Sequence, residues 1–251
     1  MKPCILHSKN DLASANIFSH LIKLNPGIAH LELETLTNPD AQLLESHPSD
    51  YFIAVSRHRS AANTKSFTTH TPGNWGANEF GGEPWKLSFC YPTLLALMLN
   101  ELHARQIPGW EVSLEVDHHG PSINKPIIFV EIGSTETEWV NEEAGRRVAD
   151  AVQSALAKIG SEPKKKVAFC VGGTHYAAAF TKRVLAGEFV PSHMLPKHHA
   201  EAFDFVMFRQ AMEMTCEKVD VVAIDWKGLK GADRVKIIGF CKEYGIEFEK
   251  I

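Results

Sequence analysis

The sequence predicts an α/β protein with a mixed, largely parallel central sheet and helices on both faces. Short apolar runs alternate with helical patterns along the whole chain, which is typical of strands covered by intervening helices. With 44% hydrophobic and 22% charged residues, the 251-residue chain has enough apolar side chains for a large core. Length alone permits two domains, but no linker or internal repeat divides the chain, so we expect one domain over residues 1–251.

The N-terminal half contains five predicted strands and two predicted helices. The strands are expected at residues 4–6, 28–36, 51–56, 66–71 and 110–116, where apolar residues cluster or alternate. The helices are expected at residues 11–23 and 91–105, with Asn10 or Asp11 as the N-cap of the first. Residues 57–84 are rich in Gly, Asn, Thr and Ser. Outside the strand expected at residues 66–71, they are expected to form long loops over the sheet edge.

The C-terminal half repeats the alternation. Strands are expected at residues 127–132, 166–171, 219–224 and 246–248. Helices are expected at residues 137–158, 200–217 and 231–243. In folds of this class, functional sites gather at the carboxyl ends of the parallel strands.

Charge and cysteine content exclude several classes of protein. The formal net charge of −4 argues against a protein that coats long nucleic acids, although contact with the end of an RNA needs only a few lysines. The five cysteines are an odd number without a Cys-x-x-Cys pair, so we expect reduced thiols in a cytoplasmic protein. No apolar run approaches the roughly 18 residues of a membrane helix, and no membrane partner is expected.

Two adjacent histidines, His118 and His119, leave an apolar segment and enter the turn Gly120-Pro121. Neighbouring side chains on a strand point to opposite faces, so both rings can reach one site only where the strand gives way to a turn. We predict that they serve a hydrolytic site, as metal ligands or, for His119, as a proton-transfer group. The alternative is that one ring packs against the loop and the other is solvated.

A lone carboxylate, Glu131, follows the apolar run 127–130. An isolated charge is costly to bury, so this one must be paired, metal-bound or protonated. We expect Glu131 to act as a general base or to bind a cation. A structural ion pair is the alternative.

A third cluster, Gly172-Gly173-Thr174-His175, lies between a predicted strand and a helical segment. Glycines allow close approach of the backbone to a ligand, so Gly172 and Gly173 are candidate substrate contacts, with a plain tight turn as the alternative. Near a helix N-terminus His175 is biased towards its neutral form, which can bind a metal or accept a proton. Because all three clusters follow apolar strands, we predict that they form one active site.

His58 and His70 are the remaining candidate metal ligands. Each can complete a shell of nitrogen and oxygen ligands, a set that favours zinc. No pair of histidines has the spacing of a zinc finger or of a helical metalloprotease, so spacing alone does not establish a metal site.

Four basic residues are candidates for binding phosphate groups. Arg57 and Arg59 suit a phosphate or a carboxylate because the guanidinium group forms paired hydrogen bonds. Lys227 and Lys230 follow a buried strand, and we expect them at the same end of the sheet as the predicted active site.

Taken together, these segments resemble the D-aminoacyl-tRNA deacylase family of archaea and plants. The matching segments occur in the same order through the whole chain. They are residues 11–17, 56–58, 70–74, 118–121, 129–135 with Trp139, 172–176, 193–197 and 225–231. Small departures, at Leu12 and at Ala177-Ala178, leave the central residues unaffected.

The resemblance implies a fold similar to peptidyl-tRNA hydrolases and phosphorylase-like enzymes. It also implies hydrolysis of the ester that joins a D-amino acid to the 3′ end of tRNA, with zinc as the cofactor. The residue roles given above rest on side-chain chemistry rather than on the resemblance. Two other functions stay open, namely a metal-dependent amidase or peptidase with a small substrate and a non-catalytic protein that binds the end of tRNA.

Overall fold

The computed structural model describes residues 1–77 and 80–251. The strands in these residues are β1 (Pro3–His7), β2 (His30–Glu32), β3 (Tyr51–Arg59), β4 (Ser66–His70), β5 (Gly73–Asn74), β6 (Lys86–Leu87), β7 (Glu111–Leu114), β8 (Ile127–Ser134), β9 (Val167–Val171), β10 (Val190–Leu195), β11 (Val221–Ile224) and β12 (Phe248–Lys250). The helices in the same residues are α1 (Leu12–Leu24), α2 (Ala41–Ser46), α3 (Pro92–Ala104), α4 (Glu136–Trp139), α5 (Glu142–Lys158), α6 (Ala178–Leu185), α7 (Phe205–Glu213) and α8 (Gly231–Tyr244).

The described strands form two main sheets. The larger has the order β2-β1-β3-β8-β4-β7, and the smaller has the order β10-β9-β11-β12. In the larger sheet β2, β1, β3 and β8 run parallel, whereas β4 is antiparallel to β8 and parallel to β7. All pairs of the smaller sheet are parallel. The predicted class, a mixed α/β fold with a largely parallel central sheet, is confirmed, but the sequence pattern does not predict the division into two sheets.

Strand β3 shows why the central strands read as continuous apolar runs. Ile53 and Val55 face a hydrophobic cluster that also contains buried residues of α1, α3 and α5. Phe52 and Ala54 face a second cluster, which contains Leu44 of α2. Both faces of the larger sheet are therefore covered, as is typical of parallel sheets.

Backbone hydrogen bonds join the two sheets just after β7. The N–H of Val116 donates to the carbonyl of His175 (3.1 Å), and the N–H of Asp117 donates to the carbonyl of Met194 (3.0 Å). These bonds hold the segment before the histidine pair against the segment after β9 and against β10. One hydrophobic cluster contains residues of both sheets, which supports the proposal that residues 1–251 form one domain.

Two predicted helices are shorter than expected, and side-chain caps explain where α5 and α7 begin. The helix expected over 137–158 is divided, because Asn141 accepts a hydrogen bond from the N–H of Ala144 and starts α5. The helix expected over 200–217 begins later, because Asp204 caps α7.

Strand β10 is an element that the apolar pattern does not predict. Pro191 and His193 interrupt the pattern. The fold accommodates both, because β10 is an edge strand, where proline is tolerated, and both ring nitrogens of His193 have hydrogen-bond partners.

Residues 57–84 contain more strand than their loop-like composition indicates. Strand β3 continues to Arg59, and β4, β5 and β6 follow. Asn78 and Glu79 of this predicted loop segment lie outside the described residues. Of the helices in the described part of the chain, none has both the length and the apolar character needed to cross a membrane.

Candidate active site

Three histidines, His70, His118 and His119, lie close together, and the last two line a cleft. One ring nitrogen of each lies within 4.8 Å of the others. In each ring Nδ1 donates to a backbone carbonyl oxygen, at 3.1, 2.8 and 2.6 Å respectively. A neutral imidazole that donates from Nδ1 keeps a lone pair on Nε2, so each ring retains one nitrogen for a metal or a proton.

The turn explains how two adjacent histidines reach one site. His119 has a φ of +44°, in the left-handed region that residues with a Cβ rarely adopt. This conformation ends the extended backbone and brings the rings of His118 and His119 to a centroid distance of 4.5 Å. The prediction that both rings reach the same site is confirmed.

Burial keeps these three rings neutral. It lowers the pKa of His70 and of His118 well below the ordinary value, and it lowers the pKa of His119 to about 4. The neighbouring imidazoles add to the effect at His70 and His118, because a second positive charge nearby is unfavourable. Neutral imidazole is the form that binds metals.

Glu115 is a central residue of the site that the sequence analysis missed. Its fully buried carboxylate lies 3.0 Å from His58 Nδ1, 3.5 Å from His118 Nε2 and 3.5 Å from His175 Nε2. Burial opposes ionisation, but the nearby imidazoles of His175 and His58 lower the pKa of Glu115 to about 2. A carboxylate flanked by Leu114 and Val116 carries the same signal that identified Glu131.

Glu131 lies in the middle of β8 rather than at the end of a strand, because the pairing of β8 with β3 and β4 continues past it. Ser56 Oγ donates to Glu131 Oε1 at 2.5 Å, while Oε2 lies 3.6 Å from His58 Nδ1 and 3.9 Å from His70 Nε2. Burial and the charge of Glu115 raise the pKa of Glu131, against the effect of His58. One oxygen is therefore held by Ser56, and the other faces the histidines.

His58 lies between the two carboxylates. Its Nδ1 faces Glu115 and Glu131, and its Nε2 lies 2.9 Å from the hydroxyl of Tyr176. Burial disfavours the charged ring, but contact with Glu131 and Glu115 outweighs burial and raises the pKa of His58 to about 10. His58 is consequently a buried cation that balances the carboxylates.

Polar atoms without hydrogen-bond partners show that this cluster is suited to a metal. Within the described residues, His70 Nε2 and both carboxylate oxygens of Glu115 are buried and have no hydrogen-bond partner. The contact between Glu115 and His58 is close but does not have hydrogen-bond geometry. Such atoms are costly unless something else satisfies them. In the part of the chain that the structure describes, three groups have the spacing of metal ligands, namely His70 with His118 and His119, His58 with Glu115 and His175, and His70 with Glu115 and Glu131.

Two adjoining cavities open onto the cluster. The larger, of about 520 Å³, is lined by Glu131 among other residues, and the smaller is about 340 Å³. His118, His119 and His175 line both cavities. His175 is 45% exposed, whereas Glu131 is buried. The predicted convergence of Glu131, the histidine pair and His175 on one pocket is confirmed.

Arg57 and Arg59 lie at the edge of the larger cavity. Their guanidinium groups lie 5.4 and 5.2 Å from the centre of the Trp139 ring. The backbone N–H of Arg57 also donates to Asp11 Oδ2 at 3.1 Å. Both side chains are thus held at the rim by cation–π contact.

Gly172 and Gly173 follow β9, with φ values of +112° and +87°. A Cβ atom on Gly172 would lie 2.9 Å from the Cβ of Asp225. Neither glycine is among the residues that line the two cavities. The close approach that requires glycine at position 172 is therefore an approach to Asp225.

Lys227 and Lys230 follow β11, in the smaller sheet. The expectation that they share a sheet end with Glu131 is wrong, because Glu131 belongs to the larger sheet. They do share a sheet with the strand that leads to His175. Both are exposed, and Lys230 Nζ lies 3.2 Å from a carboxylate oxygen of Glu201.

The fold and the site define a mixed α/β protein with a buried cluster of histidines and carboxylates at the base of a cleft. The side chains of this cluster can hold a metal or transfer protons. A family model described as D-aminoacyl-tRNA deacylase matches residues 45–249. The chain belongs to the D-aminoacyl-tRNA deacylase family and is an enzyme, which confirms the resemblance found in the sequence.

Individual relatives agree with the family match. A D-aminoacyl-tRNA deacylase of Methanocaldococcus jannaschii is 36% identical over 264 residues, covering 100% of both chains. That of Thermococcus onnurineus is 34% identical and covers 97% of this chain and 98% of its own. A crystal structure of a conserved protein of unknown function superposes with a TM-score of 0.91 at 30% identity, covering 99% of this chain and 95% of that one.

Proposed function

We propose that this protein hydrolyses the ester bond of D-aminoacyl-tRNA and releases the free D-amino acid and tRNA. Family membership supports the substrate class. The main structural support for ester hydrolysis is the cluster of histidines and two carboxylates where two cavities meet. Because this substrate serves translation, we propose that the protein acts in the cytoplasm.

An aminoacyl ester is already activated, so a positioned water and a base are sufficient for its hydrolysis. In this proposal Glu131 Oε2 accepts the proton of the attacking water, while Ser56 holds Oε1. A carboxylate with a raised pKa is a stronger base, which suits Glu131 to this role. His175, exposed to both cavities, protonates the departing tRNA oxygen, and His119 orients the water through its free Nε2.

We further propose that the site holds zinc, with ligands among His58, His70, His118, His119 and Glu131. Glu115 joins this set, because both of its oxygens lack a hydrogen-bond partner. Bound zinc would supply a Lewis acid that makes a water more acidic. His58 must lose its proton before it can bind a metal, so its protonation state is the one in this set that a metal would change most.

We propose that the tRNA 3′ end is bound by four basic residues, Arg57, Arg59, Lys227 and Lys230. The two arginines are held on Trp139 at the rim of the larger cavity, and the two lysines are exposed on the neighbouring sheet. We also propose that the backbone of Gly172 and Gly173 contacts the substrate, a role for which their nearness in sequence to His175 is the support.

The decisive experiment compares single-turnover deacylation of D- and L-aminoacyl-tRNA by the wild-type protein. We expect the D-form to be hydrolysed and the L-form to be spared. Hydrolysis of small amides without action on aminoacyl-tRNA would instead identify an amidase or peptidase. Tight tRNA binding without turnover of either form would identify a binding protein.

A further inference from the structure

Phe80 is an exposed aromatic residue at the mouth of the site. Its side chain is 68% exposed, yet it lines both the larger and the smaller cavity. An aromatic ring that is exposed to water at the junction of two cavities contributes little to the core. Its placement therefore favours contact with a ligand that has a flat apolar face.

The loop after Phe80 is fixed to the turn that carries the histidine pair. Asn74 Nδ2 donates to the carbonyl oxygens of Gly81 (2.9 Å) and Glu83 (3.0 Å). A Cβ atom on Gly82 would lie 2.9 Å from the Cα of Gly120, so the two backbones are in direct contact. Phe80 is thereby held beside the turn of the active site.

We propose that Phe80 is a stacking platform for the nucleobase at the 3′ end of the tRNA substrate. This inference rests on the proposed function. The ester bond joins the amino acid to the terminal nucleoside, so a substrate with its ester at His118, His119 and His175 carries its terminal base close to the cavity mouth. Proteins that bind single-stranded RNA ends stack unpaired bases on aromatic side chains.

A stacking interaction differs from a phosphate interaction in its response to salt. Phe80 is uncharged, so replacing it does not change the number of counterions that are released when tRNA binds, and the salt dependence of binding stays unchanged. Removal of a cationic side chain that pairs with a phosphate reduces that dependence by about one unit of slope. The two kinds of interaction can therefore be separated in one set of titrations.

The experiment is a double-mutant cycle on binding of uncharged tRNA. Wild type and Phe80→Ala are titrated with intact tRNA and with tRNA that lacks its terminal nucleotide, at several salt concentrations. We expect Phe80→Ala to weaken binding of intact tRNA roughly tenfold, with no change in salt slope, and to have no effect on the shortened tRNA. Phe80→Trp should preserve binding.

Trp85→Ala is the matched control, because Trp85 lies on the same loop, is 45% exposed and lines neither cavity. Equal effects of Phe80→Ala on intact and shortened tRNA would overturn the inference. The inference would also be overturned if Phe80→Ala left the affinity for uncharged tRNA unchanged but altered KM to an extent that varied with the amino acid. Phe80 would then contact the amino acid rather than the terminal base. Deacylation by the wild-type protein, measured separately, tests the proposed function itself.

Discussion

His193 Nδ1 lies 2.8 Å from Asp117 Oδ2, and both side chains are fully buried. Asp117 Oδ1 also accepts a hydrogen bond from the N–H of Met194 at 3.0 Å. Asp117 directly precedes His118 and His119, so this pair fixes the histidine turn of the larger sheet against β10 of the smaller one. The site thus depends on contacts that cross between the sheets.

Removing one member of this pair is expected to destabilise the protein. Asp117→Ala leaves the buried His193 without its carboxylate partner, and we expect the free energy of unfolding to fall by about 3–5 kcal/mol. Urea denaturation of the metal-free protein measures the change. Glu188→Ala, which breaks an exposed pair with Arg183, is the control and should cost under about 1 kcal/mol. Equal costs in the two variants would contradict this role of the pair.

The metal-free protein should lose stability at alkaline pH through His58. The pKa of His58 is about 10 in the folded protein, above its ordinary 6.5. The folded state therefore binds more protons between these values, and the stability due to His58, fully present below pH 6.5, is lost as the pH rises through 10. Thermal unfolding from pH 6 to 10 should show this loss in wild type and less of it in His58→Gln. If the exposed control His103→Gln flattens the curve equally, His58 is not the group responsible.

Activity should depend on zinc. We expect chelation to abolish deacylation and added zinc to restore it, because the Nε2 atoms of His70, His118 and His119 are available as ligands. Elemental analysis should find zinc in the wild type and much less in His119→Ala, with His103→Ala as the control. Full activity in protein shown to be free of metal would mean that the residues act as acid and base alone.

Glu131→Gln should slow single-turnover hydrolysis by about 10²–10⁴-fold while tRNA affinity stays nearly intact, because the carboxylate acts on the water. Glu111→Gln, an exposed glutamate at the start of β7, is the matched control. A large loss of tRNA affinity in Glu131→Gln with an unchanged rate of the bound complex would rule out the role as a base.

Lys227→Ala and Lys230→Ala should weaken binding of every aminoacyl-tRNA alike and reduce the salt slope by about one for each phosphate that is no longer neutralised. Single-turnover rates at saturating protein should be unchanged. If affinity and salt slope both match the wild type, the tRNA follows another surface, whether or not the deacylase proposal holds.

Local patterns in the sequence are sufficient to predict the fold class and most residues of the candidate site. The apolar runs and helical spacings predict the alternation of strands and helices, because burial and backbone hydrogen bonding act over a few residues. The turn Gly120-Pro121 predicts that His118 and His119 reach one site. Glu131 is identifiable because a carboxylate in an apolar run needs a partner.

Only the tertiary structure decides which of these residues meet. Ser56 and Glu131 are 75 positions apart and are brought together by the pairing of β3 with β8. Glu115 joins the site because contacts between the two sheets place β7 beside the segment of His175. Local patterns specify that a side chain must be buried or paired. The choice of partner depends on how distant strands pack, and a local pattern carries no information about that.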